Sequence, residues 1–441
     1  MTESRRRRPW LIVATLLVTV VIGIIGARFA ILSYLKSERF RQQVSAAVSR
    51  QLKAEGEFMP FQVADSTVFS DGFAAQSGGK AFFSTLKADQ IRAVVNWRKL
   101  FQRSVQIDDV SIEQVAIRFP DRSPATAPQP AIAEVQPARR VSRWKVAVDK
   151  ASVNRSSWRW GNNPETAGAI TDSAFTMTPD GNAWLIAATG GKVSQTGWPD
   201  LSIDSAQLRY RPAALFVNEA VLRSQTGRIR VTGEVDYNKT ANLQATIEDL
   251  PVAPLLTPDW RFRLKGKLGG SVRTIASFSG EPLHLDGTLR LTEGQLEALP
   301  VLEQIATFTR TERFKRVNLS KASVSFNRDG KILTAKDLLL ESEGLMRVEG
   351  AFTVVDGNID GLFQVGVTAA SLQWLPGSQA RVFTIAHDGY NWTTVRVTGP
   401  AAHPKEDLTA RLAAAAAGEI LQSTQDTILD TARGLLEQLP Y

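Results

Sequence analysis

Few side chains in this sequence have the types and spacing that chemistry requires. There is no cysteine, which removes disulfides, thiolate metal sites and a cysteine nucleophile. The three histidines, His284, His387 and His403, stand apart without ligand spacing, and none sits in an H-E-x-x-H arrangement. His284 and Asp286 could be written as a ligand pair, yet they fall on a strand pattern whose alternation already accounts for them. The run Ser77, Gly78, Gly79, Lys80 approaches a phosphate loop. Ala74 and Ala81 stand where that loop needs Gly and Ser or Thr, so a turn is expected. Ser84 with Lys87 and Ser142 with Lys145 satisfy S-x-x-K without its companion motifs, and no G-x-S-x-G elbow occurs. The expectation is a protein that is not an enzyme and holds neither metal nor cofactor.

Charge points elsewhere than to nucleic acid. Of the net charge of +8, half comes from Arg5, Arg6, Arg7 and Arg8, which directly precede an apolar run. A second basic row, Arg261, Arg263, Lys265 and Lys267, alternates with Phe262, Leu264 and Leu268 and reads as the wet face of a strand. Such a row suits a solvated surface or edge protection, and less directly anionic head groups. Nucleic acid is not expected as a partner.

The apolar run is uncharged from Leu11 to Gly26 and continues past Arg28 to Leu35. About 20 residues at 1.5 Å each cross a bilayer, and Arg28 can snorkel to the interface. Arg28 and Phe29 occupy the place where a signal peptidase site wants small residues, which favours an uncleaved anchor. The preceding arginines favour a cytoplasmic N-terminus and Trp10 suits the interfacial belt. Residues 1–8 are therefore expected to form a cytoplasmic basic tail and 9–35 a transmembrane anchor. The bulk of the chain would then lie on the far side of the membrane from the cytoplasm.

Beyond the anchor, Phe40, Val44, Val48 and Leu52 recur at helical spacing. The period then changes to two. Ile229, Val231, Gly233, Val235 and Tyr237 alternate with Arg228, Arg230, Thr232, Glu234 and Asp236. Leu283, Leu285, Leu289 and Leu291 repeat the pattern, as do Ile359, Phe363, Val365 and Val367. Asp329-Gly330, Asp356-Gly357 and Asp388-Gly389 are expected at hairpin turns, because Gly accepts the positive φ of a type I′ turn. An antiparallel meander follows. Pro124, Pro128, Pro130 and Pro137 mark 123–140 as a linker or long loop. The stretch Leu222–Val235 matches Leu339–Phe352 at an offset of 117 residues, each after a short Ala-x-apolar-x-aromatic piece at Ala206 and Ala322, as in a sheet that grows by repetition. Helical spacing returns from 405 to 441 through Leu408, Leu412, Ile420, Leu421, Ile428, Leu435 and Leu439. Acidic residues outnumber basic ones there, which favours packing on the protein's own sheet over lipid.

With an anchor, the helix from Ser37 to Val44, the extended segments Val94–Phe101 and Val105–Phe119, the Phe326–Gly330 and Leu338–Ser342 strands, and Gly399–Pro404 ahead of a terminal helix, the chain resembles the AsmA-like family of repeating-β-groove envelope proteins. The match covers about half of the chain, and family members that bridge the envelope are much longer. The resemblance implies an extended, curled antiparallel groove that conducts phospholipid. It places an AsmA-like helix with strands at 36–122, the groove at 141–404 and an amphipathic helix at 405–441. The apolar strand positions that would line the groove are Ile229, Val231, Val235, Leu285, Leu289, Val348, Phe352, Phe363 and Val365. Phospholipid, the inner membrane and other envelope proteins are the partners implied. The rival expectation is a membrane-tethered periplasmic scaffold or assembly factor in which the same residues fill a closed β core. Whether the apolar face is left accessible separates the two.

Overall fold

The computed structural model describes residues 33–78, 81, 83–96, 104–120, 145–163, 167–211, 213–236, 240–277, 282–299, 302–303, 306, 312–373, 377–415 and 417. The basic tail, most of the apolar run, the prolines of 123–140 and residues 418–441 lie outside these. Among the described residues no helix is long and apolar enough to cross a membrane. Contacts divide the chain into two compact units, Met1–Thr196 and Gly197–Tyr441.

In the first unit, α1 (Glu38–Leu52) begins at Ser37, whose Oγ accepts from the Phe40 amide, and ends at Lys53 in the left-handed region. Its expected stripe points at a sheet, where Val48 and Leu52 pack against Phe73, Phe83, Ala88, Val115, Ile117 and Val153. β1 (Glu55–Phe58) and β2 (Phe61–Ala64) both pair with β3 (Thr67–Gln76), which pairs in turn with β4 (Thr85–Asn96) and β4 with β5 (Ser104–Arg118). Here the antiparallel expectation fails. β6 (Lys145–Val148) and β7 (Ala151–Trp160) run parallel to β5, Ser104 opposite Lys145 and Arg118 opposite Arg159. A parallel neighbour needs a crossover that returns along the strand, roughly 50 Å for 15 residues. The strands that flank residues 121–144 are thus hydrogen-bonded neighbours of one unit, and the division between units falls after Thr196. Antiparallel pairing then resumes from β7 to β8 (Gly168–Asp180), which takes up β9 (Ala183–Thr189) and β10 (Lys192–Gln195).

The second unit is the expected antiparallel meander. β11 (Leu201–Tyr210), β12 (Ala214–Arg223), β13 (Arg228–Asp236), β14 (Thr240–Pro251), β15 (Leu264–Ser277) and β16 (His284–Glu297) pair in order. β16 takes both β17 (Arg316–Leu319) and β18 (Lys321–Asp329), and the order continues through β19 (Ile332–Ser342), β20 (Met346–Val355), β21 (Asn358–Thr368) and β23 (Tyr390–Pro400). The short β22 (Ile385–His387) and β24 (Lys405–Glu406) pair with the outer edge of β23. Between them, Thr394 O accepts from Arg411 at 2.6 Å and the Arg396 amide donates to Asp407 at 3.0 Å. No pairing of β23 with β11 closes a barrel among the described residues.

Two of the three Asp-Gly turns have the expected form: Asp356 and Gly357, and Asp388 and Gly389, all have positive φ between paired strand ends. In the third, Asp329 is still a ladder residue opposite Ile332, and the two-residue turn is Gly330-Lys331 with positive φ at Gly330 alone. The repeated segments are equivalent hairpins, β12 into β13 and β19 into β20, so the 117-residue offset superposes Val231 on Val348 and Val235 on Phe352.

The ladder is interrupted by bulges at Asp249, Glu293 and Asp337, each at positive φ where the register shifts. A bulge bends its strand and deepens the twist, which makes a sheet curl. The curl brings the turn ahead of β15 to the turn after β23: Trp260 Nε1 donates to Ala401 O at 3.2 Å, across 141 residues of sequence. Replacing Asp337 by Gly is expected to leave stability within a few tenths of a kcal/mol, whereas Asp337→Val should cost about 1–2 kcal/mol because a β-branched side chain opposes positive φ. Urea unfolding midpoints of the two variants measure the difference.

Candidate functional site

Residues directly opposite in a β-ladder share a face, so pairing alone decides whether the nine expected lining residues meet. Ile229, Val231 and Val235 of β13 oppose Ile247, Ala245 and Ala241, and these oppose Gly270, Val272 and Ala276. From Gly270 the row passes to Leu289 and Val324, while Thr274 leads to Leu285. On the far side of β18 the same face carries Phe326, then Ala335, then Phe352, and Leu340 leads to Val348 and Val365. Phe363 lies two residues before Val365, its ring 6.2 Å from that of Phe352. All nine therefore lie on one face, spread over seven ladder steps from β13 to β21, or roughly 34 Å measured along the sheet.

Only Ile229, at 4 % exposure, is buried. The other eight are half-buried. The face is filled at one strand end, where Leu302, Ala306, Phe314, Leu372, Val382, Phe383 and, from the helix over 408–415, Leu408, Leu412 and Ala415 pack onto Val317, Ala322, Met346, Val367 and Val395. Val348 and Val365 border this plug. Towards the opposite strand end, Val235, Leu285, Leu333, Phe352, Val354, Ile359 and Phe363 stay half-buried, although the small Ala335, cross-strand neighbour of both Phe326 and Phe352, is buried.

The other face is ionic. Arg228 meets Glu248, Arg230 Glu219, Arg223 Asp204, Arg396 Asp360 and Lys321 Glu341. The basic row expected along one strand is divided. Pro258 opens a helical turn, α2 (Pro258–Arg261), so β15 begins only at Leu264 and Phe262 is 74 % exposed. Arg261 donates to Leu256 O and Arg263 lies over the Trp260 ring. Lys265 and Lys267 pair with Glu297 and Glu293, and Lys265 with Arg316 holds Glu297 below the usual carboxylate range. A shallow depression of about 390 Å³ is lined by Lys336, Asp360 and Arg396 of the ionic face together with Ala335, Phe352 and Gly361 of the apolar rows.

The candidates for polar chemistry do not converge. His284 is held between Asp329 at Nδ1 and Asp286 at Nε2, 3.4 Å away. His387 stacks on Trp392 with ring centroids 4.9 Å apart, and His403 stands 3.9 Å from Asp259. Ser77 Oγ accepts from the Ala81 amide, and Ser84 Oγ donates to Arg118 O. Ser142, Gly79 and Lys80 lie outside the described residues.

Sequence alternation missed the β18 and β19 share of the face. Val324 and Phe326 were visible as part of the repeat, but Leu333, Ala335, Leu338 and Leu340 change step at the Asp337 bulge.

The hydrogen bond that His284 Nδ1 donates to the Asp329 carboxylate, with the charges of Asp329 and Asp286, raises the imidazole above its ordinary value. The charged ring is favoured by folding, so its contribution is complete below about pH 6.5 and fades as pH rises through the raised value. Asp329→Asn should return the His284 titration, followed by NMR, towards the ordinary range. No family model, no curated protein and no solved structure matches this chain.

Proposed function

We propose that this chain is a lipid-handling protein of the bacterial envelope. It is anchored in the inner membrane through 9–35, with its N-terminus cytoplasmic and its body periplasmic. It holds phospholipid acyl chains against the apolar face of the second unit and so supports outer-membrane homeostasis. The observation that carries this reading is the placement of nine apolar side chains on one face, eight of them only half-buried. Each CH₂ taken from water contributes about 0.8 kcal/mol, so a dozen methylenes supply on the order of 10 kcal/mol before ordering costs, with no directional contact. A binding protein of this kind needs no catalytic constellation, in keeping with the scattered histidines and serines. The resemblance to the AsmA-like family supports the same assignment.

A scaffold with a closed core is the second reading, and the plug favours it, because there the chain covers its own apolar face. Native mass spectrometry of the full chain extracted in detergent separates the two. Co-purifying phospholipid is expected of the first reading, and none, with the wild-type fold intact, would overturn it. Phe363→Glu is the matching variant: on an accessible face the carboxylate keeps water and the stability loss should stay near 1–2 kcal/mol while bound lipid disappears. In a sealed core the same change would cost several kcal/mol.

A further inference from the structure

Among the described residues of the ladder, the apolar face carries one charge. From β12 to β23, every other ladder-paired residue on it is a hydrocarbon, a glycine or an uncharged polar residue such as Thr274, Ser342, Asn391 or Thr393. The exception is Arg328 of β18, which opposes Leu285 on one side and Leu333 on the other. It stands at the strand end away from the plug and is exposed. Its Nε donates to Gly330 O at 2.9 Å, and no carboxylate lies within ion-pair distance of it among the described residues. The adjacent Asp329 belongs to the opposite face, where it holds His284.

This arrangement differs from that of the cations Arg223, Arg228, Arg230, Lys321 and Arg396 on the other face, each set against an acid. A long stem can lie over Leu285 and Leu333 while the guanidinium stays wet at the rim. There its planar fork is available to an anionic oxygen pair, for which Arg is better shaped than Lys. An amphiphile whose tail runs from the rim towards the plug would bring its head to this point.

We propose that Arg328 is the head-group recognition residue of the apolar face, and that the ligand is an amphiphile bearing a phosphodiester or a carboxylate, its tail directed towards Met346 and Val367. This rests on the lipid-handling reading above. The test is native mass spectrometry of the detergent-purified full chain titrated with phosphatidylglycerol, with oleate, and with a diacylglycerol that has the same tails and no anion. Arg328→Gln should weaken phosphatidylglycerol, oleate or both by about tenfold, the expected loss of a charge-assisted contact, and leave diacylglycerol unchanged. Arg328→Lys should retain part of the affinity. Sensitivity to phosphatidylglycerol alone identifies the phosphodiester, and to oleate alone the carboxylate. Equal loss for all three ligands, or loss for none, overturns the recognition role while leaving the groove reading intact. If the wild-type chain takes up none of the three, the lipid-handling reading itself falls.

Discussion

The hydrogen-bond ladder of the second unit is the constraint from which the rest follows. Because side chains alternate with a period of two, each pairing in register commits a whole strand to a face, and a slip of one residue would exchange the hydrocarbon side for the ionic one. The cross-strand ion pairs Arg228–Glu248 and Lys321–Glu341 and the apolar rows through Ile229, Leu289 and Val348 are two expressions of one register. An exposed pair such as Arg228–Glu248 contributes at most about 1 kcal/mol, so the ladder and the apolar rows carry the greater part of the stability.

The register is kept without being straight. Asp249, Glu293 and Asp337 each sit at positive φ where one strand gains a residue over its neighbour. Aspartate tolerates that conformation better than most residues, since its short side chain can bond locally. After each bulge the alternation resumes in phase with the partner strand, so curvature enters while the faces remain sorted. The plug then meets a face already bent towards it, and Phe314, Phe383 and Leu412 fill one end only.

How much of this could be read from residues alone depended on whether the signal was local. The alternation in β13, β16 and β21, the Asp-Gly turns at 356 and 388, and the repeated hairpins are short-range patterns, and each fell where it was expected. The nine apolar residues expected to share a face reached it for the same reason. The parallel pairing of β5 with β7 left no local trace, because a proline-rich segment looks the same whether it separates domains or returns a chain along its neighbour. Pro258 overrode the alternation around Phe262 by starting a helical turn. The β19 face was hidden by the change of step at Asp337, and the plug by the distance in sequence between Leu302, Phe383 and Leu412.

The treatment of β23 has a consequence for how such a molecule lives among copies of itself. A structure made by adding hairpins has no inherent reason to stop, and its final strand is a template for any extended chain that drifts past. Here the stretch of β23 left bare between β22 and β24 has already spent its outward amide at Arg396 and its carbonyl at Thr394 on Asp407 and Arg411. An intruding peptide finds this donor and this acceptor already taken, so the pattern that lengthens the sheet from within is offered to strangers at its border in a curtailed form.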